Sequence, residues 1–191
     1  MTTDKTTEPK VLPLDTLHRQ QGAEMKDHYG WSTPAHYEDP TKEYNAAVHH
    51  AALLDVSFLT IVSGSGKDHI EYLNRRLSQK VIDQQLGEGR RANQLGGNGR
   101  MEADLAFYRA EEDLSLLVAP PTLTGQDLEF LADKYVFTED ATFKDVTSEW
   151  AVFALLGPKG ANLAQETLGA TLPENQQIAP WESGETKGFI L

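Results

Sequence analysis

The run Gly96-Gly97-Asn98-Gly99-Arg100-Met101-Glu102-Ala103-Asp104-Leu105-Ala106-Phe107-Tyr108-Arg109 constrains the fold of this chain more than any other stretch. Three glycines and an asparagine do not continue a helix or strand cheaply, but they accept positive φ, so the spacing predicts a tight turn. A strand leaves that turn. Met101, Ala103, Leu105 and Phe107 fall on one face of it, and Glu102, Asp104, Ala106 and Tyr108 on the other. Asp104 then sits in mid-strand, where a carboxylate is solvated, paired with a cation, or used. If it is paired, Arg100 or Arg91 is the cation expected to face it.

The remaining segments read as short elements with hairpin-length links. Residues 1–12 form a polar tail that frays, and residues 13–37 give a short helix entered by proline and then an irregular segment pinned by Trp31. A helix over residues 42–54 follows, with Tyr44, Ala47, Ala51 and Leu54 at helical spacing. Next come a strand over 56–63, a helix over 69–77 capped by Asp68, a strand over 91–95 entering the central hairpin, and a strand over 114–119 stopped by Pro120-Pro121. Thr122 or Thr124 caps a helix through Lys134. Strands over 141–146 and 150–156, a helix from Gly157-Pro158 to Leu168, a loop over 171–185 and a last strand from Gly188 complete the chain. This order implies an α+β fold, an antiparallel sheet faced by helices as in ferredoxin-like units. A chain ending on Phe189-Ile190-Leu191 is expected to be cut short, so residues 13–191 are read as one incomplete domain.

Composition narrows the chemistry. The 191 residues contain no cysteine, which excludes disulfides, thiolate metal sites and a cysteine nucleophile. No window approaches the roughly 18 to 20 apolar residues of a membrane span, so the expected location is the cytoplasm and no membrane partner is expected. A net charge of -12 disfavours nucleic acid as a partner. The charge is uneven: between Arg75 and Arg109 seven Lys/Arg (Arg75, Arg76, Lys80, Arg90, Arg91, Arg100, Arg109) meet four acids (Asp83, Glu88, Glu102, Asp104), net +3, leaving -15 elsewhere. That segment suits a small polyanion. The run Gly64-Ser65-Gly66-Lys67 lacks the first glycine and the final Ser/Thr of a phosphate loop. The six histidines lack metal-ligand spacing except for the neighbours His49-His50, whose side chains diverge on a helix; no serine has a nucleophile-elbow context, and Asp55 reads as a turn or cap residue.

Two motif sets carry a family resemblance. Gly22-Ala23-Glu24-Met25-Lys26-Asp27-His28-Tyr29-Gly30-Trp31, then Pro34-Ala35-His36-Tyr37 and Leu54-Asp55-Val56-Ser57, resemble the opening of the glycine-cleavage T-protein, a tetrahydrofolate-dependent aminomethyltransferase. Gly99-Arg100-Met101-Glu102-Ala103-Asp104-Leu105, with Lys134-Tyr135-Val136-Phe137 and Leu156-Gly157-Pro158, is more similar to the YgfZ folate-binding proteins tied to iron–sulfur protein maintenance. The resemblance covers residues 13–191 and the front half or so of such proteins. It implies tetrahydrofolate, or a 5- or 5,10-substituted derivative, as cofactor. It also implies that the working aspartate of the family falls on Ala103, which cannot accept a proton. Asp104 is then the one candidate catalytic carboxylate, and Leu59, Arg91, Arg100, Ala103 and Asp104 are the candidate folate-contacting positions. Arg91 stands where the family tends to have tyrosine, and Pro120 where it tends to have asparagine.

Two functions follow as expectations. One is a folate-binding domain with weak or no one-carbon transfer by itself. The other is an interaction or assembly module whose Phe189-Ile190-Leu191 edge pairs with a second copy or with a partner chain supplying a missing C-terminal half.

Overall fold

The computed structural model of the chain describes residues 8–96, 98–121 and 139–191. The elements in order are β1 (Lys10–Val11), α1 (Asp15–Gln20), β2 (Glu24–His28), β3 (Trp31–His36), α2 (Pro40–His49), β4 (Ala52–Asp55), β5 (Thr60–Ser65), α3 (His69–Asn74), β6 (Gly89–Leu95), β7 (Met101–Glu111), β8 (Leu114–Ala119) and β9 (Thr142–Asp145). After a single 3-10 turn come β10 (Phe153–Leu156), α4 (Gly160–Leu168), β11 (Ala179–Ser183) and β12 (Thr186–Ile190). The fold is α+β, and every pairing except the short parallel contact of β1 with β3 is antiparallel among the described residues. The helix expected after Thr122 lies outside the described residues.

Two compact units result, each built from discontinuous chain. The first comprises Met1–Phe58 and Ser148–Gly160, the second Leu59–Thr147 and Ala161–Leu191. In the first unit, β1-β3-β2 form one small sheet and β4 pairs with β10 in a two-stranded ribbon. Lys10 and Val11, within the stretch expected to fray, pair with Trp31 and Ser32. The segment expected to be irregular is instead the hairpin β2–β3, turned at Tyr29-Gly30, both with positive φ.

The second unit carries a five-stranded sheet in the order β6-β7-β8-β5-β9 and the hairpin β11–β12. Its core is Val62, Leu73, Leu77, Val81, Ala92, Leu105, Phe107, Leu117 and Ala119. Phe107 and Leu73 are sealed completely. Burying side chains of that size stabilises by about 1.5–3 kcal/mol each, so this cluster dominates the unit's stability.

Several boundaries move, for local reasons. The helix expected over 42–54 is α2, which starts at Pro40 because the Asp39 carboxylate accepts from the Thr41 N–H at 2.9 Å, and stops at His49. Its end is held from outside, where Lys159 N–H donates to the His50 carbonyl. Gly157, at φ +101, lies so close that a Cβ there would stand 2.6 Å from the carbonyl oxygens of Ala47 and His50. Leu54, counted as helical, pairs with Ala154 in the ribbon. The strand expected over 56–63 begins at Thr60 after a turn. Asp68 does not cap α3 with its side chain, which instead accepts from the Asp140 N–H at 2.9 Å. The last strand is also not a lone edge: β12 pairs along its whole length with β11, inside the region expected to be loop.

Candidate functional site

The central hairpin forms as its glycine turn predicts. Gly96 N–H donates to the Arg100 carbonyl and Gly99 N–H to the Gly96 carbonyl, both at 2.9 Å, and Gly99 has φ +75. Strands β6 and β7 pair from Gly89↔Tyr108 to Gln94↔Ala103, and the register then shifts so that Leu95 faces Met101. Glu102 is the extra residue, a bulge on the turn side of Ala103. From Ala103 onward the alternation is regular: Ala103, Leu105 and Phe107 are buried, while Asp104, Ala106 and Tyr108 are half-buried on the other face. Met101 was expected to face inward with them. The bulge turns it out, and it is exposed.

Each candidate position can now be placed. Ala103 is 7% exposed on the core face, opposite Gln94, which is 1% exposed. Asp104 is on the reverse face, where its Oδ2 accepts from Arg91 Nη2 at 2.6 Å across the strand pair. The side chains of Arg91 and Asp104 are 74% and 43% exposed, so the ion pair contributes only about 0.2–1 kcal/mol. Arg100 lies in the exposed turn, its N–H bonded to the Asn98 side-chain oxygen at 3.0 Å. Of the two arginines expected to face Asp104, Arg91 is the one that does. Leu59 is half-buried in the bend just before β5 rather than within a strand.

The registers also show what gathers here. Thr60 pairs with Ala119, and Ala106 with Val118, which sets Ala119 level with Leu105 and Leu59 level with Asp104. Leu59 is therefore two strands, about 10 Å, from Asp104 at the same end of the sheet. Ala103 is held away from Arg91 and Asp104 by the pleat. One further ionisable group borders this face: burial, opposed by Arg91, holds the Tyr108 phenol above its ordinary value and so neutral. Its ring lies over Gly89, where any Cβ would collide with it.

A second polar assembly, in the first unit, was not found by sequence reasoning. His18 Nε2 meets Asp55 Oδ2 at 2.8 Å and its Nδ1 meets the Tyr37 hydroxyl at 2.7 Å. Asp55 Oδ1 accepts from Ser57 N–H at 2.9 Å and from Ser57 Oγ at 2.5 Å, and Ser57 Oγ in turn accepts from Val152 N–H at 2.8 Å. His18, Asp55 and Ser57 are all buried. Burial, followed by the charges of Asp55 and Glu43, raises the Tyr37 pKa. The turn role expected for Asp55 is real. Its histidine partner, 37 residues away, leaves no local signal. Among the described residues no group of three or more His, Asp or Glu side chains is arranged to hold a metal, and no helix is long and apolar enough to cross a membrane.

Comparison with known proteins agrees with this architecture. The chain is 30% identical over 162 residues to the aminomethyltransferases of Bacillus cereus (strain B4264) and Bacillus anthracis (strain A0248), covering 85% of this chain and 44% of each relative. The glycine cleavage system aminomethyltransferase T from Bartonella henselae superposes with a TM-score of 0.77 at 27% identity, over 94% of this chain and 52% of that one. The chain thus spans about half the length of the relatives it matches. The GCVT N-terminal domain matches residues 14–186, and to that family the chain belongs.

Proposed function

We propose that this chain is a tetrahydrofolate-binding domain of the T-protein kind, with weak or no aminomethyl transfer by itself. The observation that carries the reading is the pairing of Ala103 with Gln94 on the buried face while Asp104 is turned away and held by Arg91. A general base or iminium-stabilising carboxylate has to reach the reacting atoms, and residues next to each other on a regular strand cannot exchange faces. The bulge at Glu102 lies on the wrong side of Ala103 to bring Asp104 round. Folate recognition then rests on Leu59 beside the pterin and on Arg91 and Arg100, whose exposed guanidinium groups suit the carboxylates of a glutamate tail. The same reading makes the domain a cytoplasmic one, working with a chain that supplies what the longer relatives carry in their other half.

The test is calorimetry with 5-formyltetrahydrofolate on the purified chain and on its Ala103→Asp variant. Expected are weak binding by the natural chain and no gain, with lower stability, for the variant, because a carboxylate at position 103 enters the buried face beside the Gln94 amide, away from Arg91 and Arg100. No heat and no thermal shift at near-millimolar ligand sinks the folate reading.

A second reading, an assembly module of the iron–sulfur maintenance type, is favoured by a separate observation. The β4–β10 ribbon exposes Leu53 and Phe153 on one face and Leu54 and Leu156 on the other, and α2 has no buried residue. Two strands apolar on both faces have the character of the middle of a covered sheet. Light scattering that shows a monomer at every concentration, with no change when a candidate partner is added, counts against this reading.

A further inference from the structure

Of the asparagines in the chain, Asn98 alone is followed by glycine. It stands in the turn between β6 and β7, where Asn98, Gly99 and Arg100 are all exposed to water. Its side chain folds forward over that turn, with Oδ1 accepting from the Arg100 N–H at 3.0 Å. A side chain bonded two residues ahead in this way brings its Cγ toward the intervening Gly99 nitrogen, the atom with which it can close a ring. Gly99 has φ +75, and nothing lies within 4 Å of where its Cβ would be, so the approach is unobstructed. One contact opposes it: the Gly99 N–H donates to the Gly96 carbonyl at 2.9 Å. Asn74 is placed quite differently. Its Oδ1 accepts from both Val81 and Ile82 N–H, at 2.9 and 3.3 Å, and its successor is arginine.

We propose that Asn98-Gly99 is a self-modification site, at which the folded chain converts the Asn98 amide to a carboxylate with water as the co-reactant. Hydroxide takes the Gly99 amide proton, and the nitrogen's electron pair forms a bond to Asn98 Cγ. The Cγ–Nδ2 bond then breaks, and ammonia leaves with a proton from water, which returns the hydroxide. A succinimide remains. Water opens it at either carbonyl, giving aspartate at position 98 or isoaspartate, whose main chain runs through the side-chain carbons. The Arg100 N–H faces the oxygen on which negative charge builds as the nitrogen adds, the role of an oxyanion donor. The opposing Gly99 N–H bond is exposed, so its opening slows the attack by about tenfold at most. Two changes follow at the tip of the central hairpin. The carboxylate lowers the net charge of the 75–109 segment from +3 to +2, next to Arg100. Isoaspartate also adds a main-chain atom to the turn that precedes the bulge at Glu102. The reaction needs no ligand and is independent of the folate reading.

The test is peptide mapping by mass spectrometry of the full chain held folded in mildly alkaline buffer, with the same chain in urea run alongside and isoaspartate measured in the Asn98 peptide. Expected is the mass gain of an amide-to-acid change in that peptide before any other, with aspartate and isoaspartate both present, at a rate within about tenfold of the unfolded chain. The rate is expected to rise with pH, because the attacking nitrogen has to lose its proton. Asn98→Gln, whose longer side chain closes a less favourable ring, is expected to stay unmodified over the same period. An intact Asn98 amide in the folded chain, after more than about ten times the period in which the unfolded chain converts, overturns the site. Earlier conversion at another asparagine overturns it too. So does aspartate without isoaspartate, the mark of direct hydrolysis that bypasses the ring.

Discussion

The two units of this chain keep their shape by different physics. The second encloses an apolar cluster from Val62 to Ala119 between α3 and the five-stranded sheet. The first, among the described residues, buries one apolar side chain fully, Leu12, and four polar ones, His18, Thr33, Asp55 and Ser57. Its larger apolar residues, including Leu53, Leu54, Tyr44, Val48 and Phe153, lie on its surface. Burial of apolar area stabilises without regard to direction, whereas hydrogen bonds contribute only about 0.5–1.5 kcal/mol net each and lose it when one partner goes. The second unit should therefore tolerate conservative swaps and resist opening. The first should be sensitive to single polar deletions and open locally first.

The largest expected effect tests the apolar side. Phe107→Ala should cost about 3–5 kcal/mol by denaturant unfolding, through lost burial and a cavity. The same truncation at Tyr44, on the surface of α2, should stay within about 0.5 kcal/mol. A similar cost at both positions breaks the comparison.

Next comes the polar side. Asp55→Ala strands His18 Nε2–H and Ser57 N–H, leaves the Ser57 hydroxyl only the Val152 carbonyl at 3.3 Å, and should cost about 3 kcal/mol. Hydrogen exchange should then accelerate at residues 52–57 and 152–156 while the amides of β7 stay protected. Uniform acceleration through both units means that they unfold as one.

A smaller effect comes with alkaline pH. Because the folded Tyr37 phenol holds its proton more tightly than in the unfolded chain, its contribution is complete below about pH 10, the unfolded value. It is lost as pH rises through the folded-state range. Tyr37→Phe should lower stability by about 1 kcal/mol at neutral pH and flatten part of the alkaline decline, leaving the part due to Tyr108. An unchanged alkaline slope removes Tyr37 from the account. The smallest effect is Arg91→Ala, at most about 1 kcal/mol of stability at low salt and less at high salt, as suits an exposed pair. A greater loss means that the Arg91–Asp104 contact is less exposed to solvent than its surface position implies.

The same contrast explains what could be read from the sequence. The glycine turn, the alternation from Ala103 to Tyr108, the pairing of Arg91 with Asp104 and the α+β class are local signals, and all are present in the structure. What was misread depends on distant partners. Leu54 keeps helical spacing with Tyr44 but is drawn into a strand by Ala154, a hundred residues on. Residues 179–183 carry Pro180 and follow Gln176-Gln177, so they read as loop, yet β12 supplies a ladder that accommodates them. The His18–Asp55 pair is invisible for the same reason, since it joins residues with no periodic relation.

The chain passes between the units three times, after Phe58, Thr147 and Gly160. No single scission releases either one, and neither corresponds to a continuous stretch of gene. During synthesis the first fifty-odd residues must wait, with their ribbon half-made, until the partner strand about a hundred residues later leaves the ribosome. Newly made chains therefore carry bare leucine strands while those hundred or so residues are added, a window in which a chaperone or a waiting subunit has its opportunity.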